Sequence, residues 1–245
     1  MDFSPILDNY QLYLEGMATT VKLVGVSLII GLAIAVPLAV LRTSINPLVN
    51  GPVWAFTYFF RGTPLLVQMF LIYYGLGQLQ FMIDLSQRFD FLKDAYWYAL
   101  FAFTLNTGAY TTEIIRGAIV GTPYGEIEAA RACGMSKLQT YRRIILPSAF
   151  RRALPAYSNE VIFMLHGSAI ASVITIIDLT GAARIVNSRY FTPYEAFISA
   201  AILYLCLTFL IVAAFRRLEQ HWFAHLRPRE ETSGKSKAEQ TAQVQ

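Results

Sequence analysis

Five long, nearly unbroken apolar stretches recur along the chain, at roughly residues 17–41, 58–79, 96–119, 154–177 and 194–215. Few folds can accept them. A run of about 20 apolar residues is the length that crosses a bilayer as a helix. Inside lipid every backbone N–H and C=O must be paired within its own segment, which leaves helix as the conformation for such runs. The pattern therefore predicts an all-α membrane protein with five transmembrane helices. Only 15% of the 245 residues are charged and 55% are hydrophobic, against about 25% charged in soluble domains, so an aqueous globule is excluded. The opening residues carry Asp2, Asp8 and Glu15 and no base, unlike the positive start of a signal peptide. The first block is also longer than a signal core and is expected to stay in the membrane.

Orientation follows from the basic residues, which collect on the cytosolic side. One set of alternating polar segments holds Arg88, Lys93, Arg184 and Arg189, with no base at the N-terminus. The other holds Arg42, then Arg131, Lys137, Arg142, Arg143, Arg151 and Arg152, then Arg216, Arg217, Arg227, Arg229, Lys235 and Lys237. The imbalance places the N-terminus outside and the C-terminus in the cytosol. The net charge of +4 is thus topological, and no nucleic-acid binding is expected. Cys133 falls in a cytosolic loop and Cys206 inside the fifth span, so no disulfide is expected. Residues 1–220 form the transmembrane domain, and 221–245 a cytosolic tail that is partly disordered.

The longest polar connection, about residues 121–147, is cytosolic and patterned. Gly121-Thr122-Pro123 ends the third span. "YGEIEAARACG" suits a short helix closed at Gly134. "MSKLQTYRRIILP" suits a second, with Ser136 as N-cap and Pro147 interrupting its far end. Leu138, Tyr141 and Ile145 share one face of it. Such a pair of helices is either an amphipathic hairpin on the headgroups or a docking element for a soluble partner.

The spacing E-A-A, three residues, G, nine residues, I-x-L-P is met by Glu128, Ala129, Ala130, Gly134, Ile144, Leu146 and Pro147. It resembles the signature loop of ABC importer permeases. "FRGTPLLVQMFLIYYGL" and "NTGAYTTEIIRGAI" are similar to the polar amino-acid (histidine/glutamine) type, and "AYSNEVIFMLHGSAIA" to its basic amino-acid branch. The resemblance covers about residues 12–220. It implies a type I ABC importer core whose loop is the coupling helix for a cytosolic ABC ATPase dimer. It also implies a second permease subunit, expected to be a paralogue, a periplasmic solute-binding protein, an amino-acid substrate and a bacterial inner-membrane location with membrane lipid around it. No cofactor is implied in this chain, because ATP is bound by the partner ATPase. The permease itself is not catalytic. "SGKS" at 233–236 is no P-loop, since Arg229 stands where the first glycine belongs.

Ionisable groups within spans are the default candidates for function, because each is costly there. Lys22, near the outer end of the first span, is read as snorkelling to the headgroups. Glu113 has Arg116 three residues on, which an intrahelical pair explains. Glu160 has no base at helical spacing except Arg151 and Arg152 at the cytosolic end of its span. Asn159, Phe163 and His166 share one helical face, with Glu160, Met164 and Gly167 on the neighbouring stripe. Asn159, Glu160, Met164, His166 and Ser168 are the expected substrate pathway, with Glu113 as a weaker member. In many permeases that the chain resembles, a lysine stands where His166 stands here; its absence favours a cationic cargo such as arginine, ornithine, lysine or histidine. A helix–helix hydrogen bond between subunits explains Glu160 equally well. The alternative is a secondary transporter driven by an ion gradient, whose folds show paired repeats or interrupted helices; neither is evident in the sequence. His221 and His225 have a zinc-compatible spacing without a third ligand, so no metal is expected.

Overall fold

A short helix, α1 (Ser4–Asp8), leads into α2 (Tyr10–Arg42), 33 residues long, in the computed structural model, which describes residues 2–222. No strand occurs among the described residues. Along α2 the small residues Ser27, Gly31, Ala35 and Ala39 recur every four positions and are all buried. They meet α6 (Ala95–Val120), whose Thr104, Thr107, Gly108 and Thr111 are buried in turn. A Cβ on Gly31 would stand 2.5 Å from the Thr107 methyl carbon. Small residues let the two backbones close up, which replaces the hydrophobic drive that lipid removes.

Between them lies α3 (Pro47–Gly62), started by Asn46, whose side chain accepts from the Leu48 N–H at 3.0 Å. α3 stops at Thr63-Pro64 and the chain restarts as α4 (Leu65–Phe70), continuing as a π-helical turn to Leu76, at an angle of 107°. A proline forces the residue before it out of the helical region, and Thr63 is extended (φ −116°, ψ 145°). The stretch 58–79, expected as one span, is therefore broken in its first third. α5 (Gln80–Arg88) and a 3₁₀ turn lead to α6, capped by Asp94 on the Tyr96 N–H at 2.9 Å. In that exposed connection the Lys93 ammonium, hydrogen-bonded to Asp90 at 2.6 Å, holds the Asp90 carboxyl below its ordinary value.

After α6 come α7 (Tyr124–Ala132), α8 (Lys137–Thr140) and α9 (Leu146–Gly167). Pro147 does not interrupt the chain as expected. A π-helical turn, Tyr141–Ile145, takes up the missing N–H, and helical structure runs on to Ile174. α10 (Leu179–Tyr190) was not anticipated. It bends from α9 by 48° and is capped by Asp178, whose carboxylate accepts from the Gly181 N–H at 2.8 Å and the Tyr204 hydroxyl at 3.2 Å. A Cβ on Gly16 of α2 would lie 2.7 Å from the Asp178 carbonyl oxygen, so α2, α10 and α11 (Pro193–Trp222) meet at this fully buried aspartate.

By length and composition α2 and α11 can each cross a membrane alone, and the two bent pairs raise the number to four. α6, the expected third span, is 26 residues long, about 39 Å at 1.5 Å per residue. Its threonines, Asn106 and Glu113 make it less apolar than a lipid-facing helix, and protein buries it instead.

Candidate functional site

Two features stand out, an elbow at one end of the helices and a cavity between α4, α6 and α9 at the Thr63-Pro64 break. The elbow is α7 and α8. α7 closes in a Schellman motif: Met135 N–H donates to the Ala130 carbonyl at 3.1 Å, and Gly134 N–H to that of Arg131 at 2.9 Å. Gly134 is left-handed at φ +74°. Ser136 then caps α8 in a reciprocal box with Gln139, 3.3 Å one way and 2.9 Å the other. Gly134 and Ser136 take the conformations that the sequence suggests.

The outward surface of the elbow carries Glu128, Ala129, Arg131 and Gly134. Ala130 is 4% exposed and packs inward, Ile144 and Leu146 are half-buried, and Pro147 is exposed. Leu138 does not join Tyr141 and Ile145 on a packed face but is 78% exposed, because the π-helical turn resets the helical phase after Thr140. A cleft of about 640 Å³ lies beneath, lined by Ala129, Cys133, Arg143, Ser148, Arg151 and Arg152 among others. Arg152 ties α9 to the end of α6. Its guanidinium donates to the Ala118 carbonyl at 3.0 Å, the Thr122 hydroxyl at 2.7 Å and the Ser148 hydroxyl of its own helix. The arms on either side of the elbow are therefore joined. Close by, Glu113 accepts from Arg42 at 3.1 Å, Arg116 at 2.7 Å and Thr57 at 3.2 Å. Its carboxylate ties α2, α3 and α6 together, the Arg116 pair among its contacts.

The cavity, about 440 Å³, is lined by Thr63, Pro64, Leu65, Asn106, Tyr110, Glu160, Phe163, Met164, Gly167 and Ile170. Glu160 is 6% exposed and takes part in no ion pair among the described residues. The two stripes of α9 separate as the 3.6-residue repeat requires. Glu160 and Met164 turn inward, whereas Asn159, Phe163 and His166 are exposed, and His166 Nε2 lies 3.1 Å from the Thr208 hydroxyl of α11. The Ser168 hydroxyl is used within its own helix, donating to the Leu165 carbonyl at 2.6 Å. Of the expected pathway residues, Asn159, Glu160, Met164 and His166 lie on α9, Ser168 opens its 3₁₀ extension and Glu113 lies on α6, and the cavity brings together only Glu160 and Met164. Lys22 lies elsewhere, its ammonium 5.5 Å from the Tyr96 ring centroid.

Sequence reasoning missed the group that shapes the cavity wall. Gln68, 2% exposed, donates to the carbonyls of Phe60 and Thr63 at 2.8 and 2.9 Å and to the Thr63 hydroxyl at 2.8 Å. It accepts from Asn106 of α6 at 2.9 Å. A helix that stops inside a membrane leaves its last carbonyls without partners, and this side chain supplies them. The sequence offers only a local hint, a glutamine in an apolar run one turn after Pro64. Among the described residues no cluster of His, Cys, Asp and Glu could hold a metal ion, His225 lying outside them. Both Cys133 and Cys206 are free.

A family model described as binding-protein-dependent transport system inner membrane component matches residues 27–223. The chain is 46% identical over 228 residues to the histidine/lysine/arginine/ornithine transport system permease protein HisM of Escherichia coli (strain K12), covering 92% of this chain and 95% of that protein. It is 42% identical over 230 residues to the nopaline transport system permease protein NocM of Agrobacterium fabrum (strain C58 / ATCC 33970), covering 94% and 95%. Among solved structures, a crystal structure of an amino acid ABC transporter with histidines matches with a TM-score of 0.78 at 32% identity, over 90% of this chain and 99% of that one. An inward-facing MetNI methionine ABC transporter matches at 0.69 and 21% identity, over 91% and 99%, a likeness of fold.

Proposed function

The chain belongs to the binding-protein-dependent transport system inner membrane components and is an ABC importer permease, and from that premise we propose that its cargo is a basic amino acid recognised at Glu160. The observation that carries this is a carboxylate 6% exposed, without an ion pair among the described residues, at a cavity between α4, α6 and α9. A lone buried carboxylate within a membrane needs a cation from outside its own helix, and an arginine, ornithine or lysine side chain or a charged histidine brings one. The naming of HisM for histidine, lysine, arginine and ornithine transport agrees with this chemistry.

The remaining parts follow from the same reading. The chain crosses the bacterial inner membrane five times, through α2, the α3–α4 pair, α6, α9 with its 3₁₀ extension, and α11, with the N-terminus periplasmic. Residues 1–220 are the permease domain, and 221–245 a cytosolic tail. Glu128, Ala129 and Gly134 present the elbow to a cytosolic ATPase dimer, which binds and hydrolyses the ATP. Ala130 packs inward beneath the elbow, and Ile144, Leu146 and Pro147 form the junction through which it joins α9. A second permease chain, a paralogue, covers the exposed Asn159, Phe163 and His166, where lipid would leave Asn159 without a partner. Ser168 and Met164 shape the pathway beside Glu160, and Glu113, the weaker member, offsets part of the positive charge of Arg42 and Arg116. A periplasmic binding protein delivers the cargo.

The test is uptake by proteoliposomes holding the assembled importer, its ATPase and its binding protein. Glu160→Gln is expected to lower arginine uptake at least about tenfold, the weight of one charge interaction of about 1.4 kcal/mol, while transport of any neutral amino acid that the wild-type importer carries changes far less. Equal losses for both would remove the charge from the account.

A further inference from the structure

Arg61 stands beside the same cavity with no task assigned to it. It occupies the last turn of α3, just before the break. Its guanidinium carbon lies 5.4 Å from the centroid of Tyr110, and Tyr110 lines the cavity with Glu160. The Tyr110 hydroxyl donates to the Arg61 carbonyl at 3.3 Å, which keeps ring and guanidinium together. The Arg61 side chain is in none of the ion pairs among the described residues. A guanidinium on an aromatic face beside an unpaired buried carboxylate is the arrangement that a bound arginine side chain would adopt.

We propose that Arg61 holds, in the empty permease, the cation slot that the basic side chain of the cargo takes, and that the cargo displaces it. This rests on the reading of Glu160 as partner of the cargo's positive charge. Exchange of one cation for another spares the carboxylate from standing uncompensated in a medium of low dielectric constant. It also weakens the hold on the cargo, because each bound side chain must compete with a tethered rival. Arg61 is itself exposed, so the displaced guanidinium can swing away from the cavity without crossing packed core.

Calorimetric titration of the permease–ATPase complex in nanodiscs with arginine, without the binding protein, separates the possibilities. Arg61→Gln is expected to tighten arginine binding about tenfold, the weight of removing one competing charge interaction. Arg61→Lys keeps a tethered cation and is expected to stay near wild type. Arg61→Met, which keeps the apolar stem, carries the same expectation as the glutamine and serves if that chain fails to assemble. The gain is expected to vanish in an Arg61→Gln, Glu160→Gln double variant. Weaker arginine binding in Arg61→Gln would mean that the guanidinium holds the cargo's carboxylate, and it overturns the proposal. Unchanged binding in Arg61→Gln overturns it too. If Glu160→Gln alone still abolishes the preference for arginine, that failure leaves the role of Glu160 standing.

Discussion

At Gly134 nothing lies within 4 Å of the place a Cβ would occupy, yet the backbone is left-handed at φ +74°. The glycine is required by conformation and not by space. Gly134→Ala is therefore expected to cost about 1 kcal/mol and to leave the elbow recognisable. Gly134→Pro cannot reach that φ, since the ring locks it near −65°, and it breaks the Schellman closure. Glu128 is exposed and its side chain makes no hydrogen bond or ion pair among the described residues, so Glu128→Arg is expected to change the surface of the elbow and not its packing. Both Gly134→Pro and Glu128→Arg are expected to leave a membrane-inserted chain whose ATP-driven arginine uptake falls at least about tenfold and whose ATPase no longer copurifies in full. Uptake and copurification at wild-type levels in both would refute the docking role.

At the scale of elements, the break between α3 and α4 hangs on Gln68. Gln68→Leu keeps the bulk but removes partners from the Phe60 and Thr63 carbonyls and from Asn106. An abandoned buried polar group costs about 1–3 kcal/mol, so a loss of about 2 kcal/mol, or about 4–8 °C in Tm, is expected in detergent for a chain of this size. An unchanged melting temperature would show that the break is held by something else. This element also marks where the sequence stopped being readable. Thr63 and Pro64 carry the local signal of a helix start, and α4 does begin at Leu65. That another helix ends just before it depends on Gln68 and Asn106, which are 38 positions apart, and local spacing does not reveal such a pairing. Pro147 looked like a stop, but the adjacent π-helical turn absorbs it. α10 escaped notice because its mixed composition fits neither a span nor a docking helix, although Asp178 supplied a cap signal. An interrupted helix is present after all, so the lack of one was a poor argument against a secondary transporter; the family match is the better one. The hydrophobic runs, Gly134 and Ser136 are legible because each is set by residues within a few turns, whereas for Glu160 the sequence shows only that its own helix offers no nearby base.

At the scale of the whole molecule, orientation can be read from its two thiols. Cys133 is exposed on the elbow and Cys206 on the outer face of α11. Only a hydrated thiolate reacts readily. A membrane-impermeant maleimide is expected to label Cys133 in inside-out vesicles and not in right-side-out ones, while Cys206 stays unlabelled in both. Added ATPase is expected to slow the Cys133 reaction. Labelling of Cys133 from the periplasmic face would invert the topology and remove the elbow from the reach of any cytosolic motor.

The Arg152 strut has a consequence for amplitude. Because it fastens α6 to α9 just above the elbow, a thrust there turns both helices as a single crank. Glu160 sits eight residues farther along the unbroken helix that runs from Lys137 to Ile174, about 12 Å of rise. A rotation of about 10° pivoting on the strut would swing that carboxylate by about 2 Å on this geometry, a stroke long enough to separate two ions in hydrogen-bonding contact.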